Sequence, residues 1–258
     1  MSKIQEALRK IQGSRTSREG EAGKDVDAED TTVVARLVDH VADDDTIDTN
    51  KHILHLDQEA LRDAGLMAPE YHAELLANQY RDIKRPLIAH AFGKRATRVE
   101  RGNLIMVTSA IAGEGKTFTS INLALSMARE RDHSVLLVDA DVAKPHISQM
   151  FAANHEPGLL DILEHGDHDL ESTILPTDAE GLSVLPAGKP RASAAELLAS
   201  DAMERIVTQL STTSSGRIVI FDSPPLLQTS EAKILARLSG QIAMVVRAER
   251  TPRDVVEA

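Results

Sequence analysis

The sequence predicts an α/β fold: a doubly wound, mostly parallel sheet with helices on both faces. Three observations predict it. Short, almost unbroken aliphatic runs alternate with helical patterns, which is the signature of strands covered on both sides. A glycine-rich loop separates the first of these runs from a helix, and acidic residues stand at the ends of two later runs, where the ligand crevice of an open α/β sheet lies. Hydrophobic residues make up 42% of the 258 and aromatic residues only 2%, so the core is expected to be aliphatic.

The elements follow in order. The run Asn103 to Ser109 (NLIMVTS) predicts the first core strand, and a helix is expected over Lys116 to Arg131. Ser134–Asp139, Leu182–Leu185, Arg217–Asp222 and Gln241–Arg247 predict further strands, with helices between them over Gly158–His165, Ala194 to about Leu210, and Glu231–Leu238. Before the sheet, Asp57 suits the cap of a short helix, Gln58–Asp63, ended by Gly65. A longer helix is predicted from Pro69 to about Arg85, with Pro86 ending or kinking it. A separate piece follows from Leu87 to Phe92 and stops at Gly93.

Charge divides the N-terminal region. Met1 to Arg18 carries five basic groups and one acid, with Ile4, Leu8 and Ile11 at helical spacing, and reads either as an amphipathic docking helix or as a frayed terminus. Glu19 to Asn50 carries eleven acids against two bases and reads as a disordered linker, interrupted by the apolar stretch Thr32–Val41. The expected organisation is therefore an N-terminal segment and linker (1–50), a helical segment packing on the core (51–101), and the α/β domain (102–258).

Composition excludes several functions. With no Cys, disulfide scaffolds, thiolate metal sites and cysteine catalysis are out. A net charge of −11 argues against general nucleic-acid binding. No apolar run reaches the roughly 20 residues of a membrane span, and the N-terminus has no signal-peptide apolar region. The expectation is a soluble protein, any membrane role of which goes through a partner. His52-x-x-His55 and His165-x-x-His168 have helix-face spacing but no further ligand, and read as surface histidines.

The chemistry concentrates in Ala110-Ile-Ala-Gly-Glu-Gly-Lys-Thr117, which follows a strand and opens a helix, the context of a phosphate-binding P-loop. Gly113 and Gly115 let backbone N–H groups turn toward phosphate oxygens. Lys116 can reach the β- and γ-phosphates, and the Thr117 hydroxyl can bind Mg²⁺. Val135-Leu-Leu-Val-Asp139-Ala-Asp141 and Ile218-Val-Ile-Phe-Asp222-Ser-Pro-Pro225 each place carboxylates just past a strand. Three such acids would repel one another unless a cation joined them, and Mg²⁺ accompanying ATP supplies one.

Together VTSAIAGEGKT, VLLVDADVAKP and IVIFDSPP resemble the Walker A, A′ and B motifs of bacterial tyrosine kinases (BY-kinases), and the segment Gln79–Leu87 resembles the stretch before the loop in exosortase-associated exopolysaccharide kinases. The resemblance implies a P-loop NTPase fold and an ATP-dependent protein-tyrosine autokinase that regulates exopolysaccharide synthesis or export. It implies a nucleotide-binding run of Gly113, Glu114, Gly115, Lys116, Thr117 and Phe118. Asp139 would orient or deprotonate the attacking tyrosine hydroxyl, with Lys116 and Asp141 completing the catalytic set. Thr117, Asp139, Asp141 and Asp222 would form the metal set. The implied activator is a membrane-bound polysaccharide co-polymerase, or chain-length determinant protein, and a homo-oligomer is allowed.

Several positions depart from the family pattern. Lys144 stands where Arg is usual, and Glu231 where Asp is frequent. Asn78, Arg81 and Arg85 replace the usual Glu-x-x-Arg-x-x-Arg oligomerisation motif. Of the chain's two tyrosines, Tyr71 and Tyr80, both precede the loop, so the tyrosine-rich tail usual in the family is missing. Thr251-Pro252 looks like a helix start, from which the chain is expected to be truncated before its last strand and helix. Two alternatives remain: a partitioning-type ATPase switch, against which Ile111 weighs because those relatives carry Lys there, and a non-catalytic, nucleotide-dependent assembly partner.

Overall fold

The computed structural model describes residues 52–67, 72–94, 96–166, 169–212 and 216–257. The N-terminal helix, the acidic linker, Thr32–Val41, Pro69, Tyr71 and His168 lie outside them. Among the described residues the strands are β1 (Leu104–Ser109), β2 (Ser134–Asp139), β3 (Leu175–Pro176), β4 (Leu182–Leu185), β5 (Arg217–Asp222) and β6 (Gln241–Val245). They form one sheet in the order β3-β4-β2-β5-β1-β6. Every pairing is parallel except β3 with β4.

Period-2 alternation explains why both faces of the sheet are covered. Leu104, Met106, Leu136, Val138, Val219 and Phe221 point into one core layer. There they meet α5 (Leu159–His165), α7 (Ala194–Leu198), α8 (Asp201–Thr212) and α9 (Ser230–Leu238). The alternate residues Ile105, Val107, Val135, Leu137, Ile218 and Ile220 point the other way. They pack against α1 (Gln58–Asp63), α2 (Ala73–Phe92), α3 (Lys116–Ala128) and α4 (His146–Met150). Truncating one of these fully buried aliphatic side chains to Ala should cost roughly 2–5 kcal/mol. The edge strand β6 differs: Ile242, Met244 and Val246 are exposed, so one of its faces is uncovered by the described residues.

The segment before the sheet is tied to it by polar anchors as well as by apolar packing. Leu54 N–H donates to the Pro176 carbonyl at 2.9 Å, and Asp178 N–H donates to the Leu54 carbonyl at 3.1 Å, so this stretch runs beside β3. Asp57 caps α1 by accepting from the N–H groups of Glu59 and Ala60. On α2, the buried Lys84 ammonium donates to the Ser126 carbonyl at 2.7 Å and pairs with Glu130 at 2.6 Å. Gln241 Nε2 donates to the carbonyls of Leu87 and Gly102, which joins α2, the loop before β1 and the start of β6.

Two helical expectations are corrected. Pro86 neither ends nor separates a helix, because α2 runs from Ala73 to Phe92 and absorbs the piece expected at Leu87–Phe92. Its ring lies on an exposed face, as does Asp82, whose carbonyl loses the i→i−4 bond and can turn to water. The single helix expected over Ala194–Leu210 is two, α7 and α8. Ser200 restarts it, its hydroxyl accepting from the Met203 N–H at 3.4 Å. The two-residue β3 and the short helices α4 and α6 (Leu170–Thr173) were too brief to leave a periodic signal, whereas α10 (Arg253–Glu257) follows directly on the helix start read at Thr251-Pro252.

Candidate active site

The loop between β1 and α3 is built as its composition requires. Gly113 (φ +83°) and Gly115 (φ +100°) both occupy the left-handed region, which side chains with a Cβ avoid. Gly115 is the N-cap of α3, so the loop delivers the chain directly into the positive end of a 13-residue helix. Above β1, the Thr108 hydroxyl donates to the Pro224 carbonyl at 2.9 Å and the Ser109 hydroxyl to the Ile111 carbonyl at 2.6 Å. The first bond seats the loop on the turn after the neighbouring β5, and the second ties the start of the loop to the end of β1.

A cavity of about 610 Å³ opens on this loop. Gly113, Gly115, Lys116, Thr117 and Phe118 line it from one side, Asp141, Lys144 and His146 from the chain after β2, and Pro224, Pro225 and Gln228 from the chain after β5. Ala64 and Leu66 bring the end of α1 to its wall. Asn122 fixes that contact, its Nδ2 donating to the Leu66 carbonyl at 2.8 Å and to the Phe118 carbonyl at 2.7 Å.

Asp139 and Asp222 are register partners on adjacent parallel strands, so their carboxylates emerge side by side. Asp222 Oδ2 accepts from the Thr117 hydroxyl at 2.9 Å and Oδ1 from the Ser120 hydroxyl at 2.8 Å. Asp139 Oδ2 accepts from both the N–H (2.8 Å) and the hydroxyl (2.7 Å) of Ser148 on α4. Asp139 Oδ1 is buried with no hydrogen-bond partner among the described residues. Burial pushes the Asp139 carboxyl up to about 7, against the pull of the two Ser148 bonds, with Asp222 and Asp141 adding repulsion. Burial likewise raises Asp222 to about 6, although Ser120, Thr117 and Lys116 favour its charged form and Asp141 opposes it. Asp141 is also raised by burial, opposed chiefly by Lys116.

The structure thus brings Lys116, Thr117, Asp139, Asp141 and Asp222 to one end of the sheet. Within that set Asp141 stands on the cavity wall, while Asp139 and Asp222 are almost wholly buried behind it. Glu114 behaves differently from its neighbours. Its side chain does not line the cavity but accepts from Ile111 N–H at 2.9 Å, from Arg247 N–H at 3.2 Å and from the Thr251 hydroxyl. These donors outweigh burial, which acts the other way, and hold its carboxyl below the usual range. Sequence reasoning missed Ser120 and Ser148: serines carry no motif, and only the approach of α3 and α4 to the strand ends reveals them.

The remaining candidates lie elsewhere. His52 and His55 are exposed and face Glu156 and Asp178 rather than each other, and His165 faces Glu164. Tyr80 is buried in the α2–α3 packing and hydrogen-bonded to Thr119. Burial pushes its phenol up to about 12.

An α/β sheet with a strand–loop–helix phosphate cradle and strand-end carboxylates defines a P-loop nucleotide-binding protein. A family model described as "AAA domain" matches residues 102–250, and the chain belongs to that family. Within it the similarity is to bacterial tyrosine kinases. The tyrosine-protein kinase ptk of Acinetobacter johnsonii is 33% identical over 157 residues, 61% of this chain and 21% of its own. The tyrosine-protein kinase YwqD of Bacillus subtilis is 32% identical over 150 residues, 58% of this chain and 62% of its own. The chain therefore spans about a fifth of the first and under two thirds of the second. Among solved structures, the VpsO kinase domain aligns with a TM-score of 0.59 at 28% identity, covering 73% of this chain and 89% of that one. The kinase domain of Escherichia coli tyrosine kinase ETK gives 0.56 at 29% identity, covering 63% and 62%.

Proposed function

We propose that this chain is an ATP-dependent protein-tyrosine kinase that regulates exopolysaccharide synthesis or export, working with a membrane-bound polysaccharide co-polymerase as activator. The observation that carries the reading is the convergence of Lys116 and Thr117 with Asp139, Asp141 and Asp222 beside one cavity, in a chain similar to bacterial tyrosine kinases. The partner and the peripheral membrane location rest on the family resemblance. No helix among the described residues is long and apolar enough to cross a membrane.

The residues fit a Mg²⁺-nucleotide. Thr117 and Asp222 already sit together, and the unpartnered Asp139 Oδ1 is a buried acceptor that a cation or proton would satisfy. Among the described residues no three acidic or histidine side chains gather tightly enough to hold a metal alone. Mg²⁺ is usually shared between one or two carboxylates, waters and phosphates. When bound, the ion would neutralise charge on the phosphate oxygens, and Thr117, Asp139, Asp141 and Asp222 are the residues that would hold it.

The chain's own residues then divide the work. Backbone N–H groups around Gly113–Thr117 and the Lys116 ammonium bind phosphate and position it. A tyrosine hydroxyl titrates near ~10, so its proton needs a carboxylate acceptor. Asp139, with its raised pKa, has the proton affinity for that role, and Asp141 has the access in this conformation. Burial removes Tyr80 as an acceptor, so the phosphorylated tyrosine is Tyr71 or lies outside these 258 residues.

The test is direct. Purified protein given Mg-ATP and the co-polymerase's cytoplasmic segment should acquire phosphotyrosine or transfer phosphate to a tyrosine peptide, and Lys116→Ala should abolish both. ATP hydrolysis without phosphotyrosine would replace the kinase with an ATPase switch, and nucleotide binding with neither activity would leave an assembly role.

A further inference from the structure

We propose that Glu114 is a positioning residue that clamps the phosphate loop to the chain leaving β6, so that nucleotide in the cavity and the segment Arg247–Thr251 hold each other in place. The inference rests on the nucleotide reading of the cavity and goes beyond it by adding a second region that senses occupancy.

Glu114 lies between two glycines in left-handed conformations, at the most sharply turned part of the loop. One carboxylate oxygen, Oε2, closes the loop on itself by accepting from Ile111 N–H at 2.9 Å. The other, Oε1, reaches more than 130 residues along the chain, accepting from the Arg247 N–H at 3.2 Å and from the Thr251 hydroxyl. One side chain therefore sets the loop's curvature and fastens its outer end. Its burial is high for a glutamate in a glycine-rich loop, at 8% exposed, which is tolerable because donors surround it.

The far end of the clamp has little else to hold it. Among the described residues β6 pairs with β1 alone and is uncovered on one face. The backbone bonds within 247–257 are local, such as Thr251 N–H to the Arg247 carbonyl at 3.1 Å. Among the described residues, the bonds to Glu114 are the ones that connect Arg247 and Thr251 to a distant part of the chain. A segment held mainly by one side chain of the phosphate loop must respond when that loop is fixed by a ligand. By linkage, the ligand must respond equally to the loss of the segment's grip.

Thr251 gives a clean test, because it does not line the cavity and its removal spares the loop sequence. The experiment uses the full 258-residue chain, a fluorescent Mg-ADP analogue for affinity, and hydrogen exchange of the peptide covering 247–251 with and without Mg-ADP. In the wild type Mg-ADP should slow exchange in that peptide. Thr251→Val should weaken nucleotide binding about fivefold or more and remove the nucleotide-dependent protection, Thr251→Ser should restore both, and Glu114→Ala should weaken binding further. If Glu114→Ala fails to fold, the Val/Ser pair still decides. Wild-type-like affinity in Thr251→Val, together with exchange at 247–251 that ignores Mg-ADP, overturns the clamp. Failure of the wild type to bind Mg-ADP overturns the nucleotide reading itself.

Discussion

Replacing Asp139 by asparagine should stabilise the nucleotide-free, metal-free protein above neutral pH and lose that advantage in acid. The folded carboxyl titrates at about 7 against an ordinary 3.8, roughly three units at ~1.4 kcal/mol each, so its ionised form carries a penalty of at most about 4 kcal/mol. A carboxyl raised in this way contributes stability below its unfolded pKa and loses it as pH climbs through the folded value. The window therefore runs from about pH 4 to 7. Asparagine keeps an oxygen for the two Ser148 bonds but puts an amide donor where Oδ1 has no partner among the described residues, at a cost of about 1–3 kcal/mol. The net expectation is a gain of about 2 kcal/mol at pH 8, or about 4–8 °C in Tm for a domain of this size, and little or none near pH 5. Calorimetry or thermal-shift melting in chelator at both pH values measures it. A Tm difference between Asp139→Asn and wild type that is the same at pH 5 and pH 8 would refute the burial-and-repulsion account of this site.

Two further substitutions test α2. Tyr80→Phe should cost about 1 kcal/mol from the lost hydroxyl bond to Thr119, read as a lower denaturation midpoint, and should leave any phosphotyrosine signal unchanged. Pro86→Ala, on an exposed turn inside α2, should raise stability by about 1–3 kcal/mol by restoring a helical N–H and relieving the ring clash.

Legibility in the sequence tracked how local each determinant is. β2, β4 and β5 match their expected bounds residue for residue, because strands buried on both faces must be aliphatic throughout. The phosphate loop was equally visible, since its glycines serve a backbone requirement that few residues meet. Pro86 was misread because proline's cost in a helix depends on whether the freed carbonyl faces water, which only the fold decides. The Ser200 break depends on a cap chosen by how α7 and α8 each pack on the sheet. Ser120 and the distant partners of Glu114 were invisible for another reason: each bond spans more than a hundred residues, and Ser148, only nine residues past Asp139, reaches it through a turn into α4 for which a hydroxyl carries no spacing rule.

Four carboxylates surround one loop, and the fold divides them into two kinds. Asp139, Asp141 and Asp222 are buried near one another, and desolvation raises all three despite good donors, with repulsion from a neighbouring carboxylate added at Asp139 and Asp222. Glu114 stands apart from that group, meets an N–H on each side and a hydroxyl, and is held ionised. A carboxylate kept charged by fixed donors has little to gain from a proton or a cation, so it is suited to holding a loop in shape. Carboxylates whose protonated form burial favours gain most from a cation or from taking up a proton, which is what the proposed phosphoryl transfer to a hydroxyl would ask of them. Under the proposed assignment Glu114 sits inside the motif while Asp139 and Asp222 come from β2 and β5, so role would follow electrostatic surroundings rather than closeness to the loop in sequence.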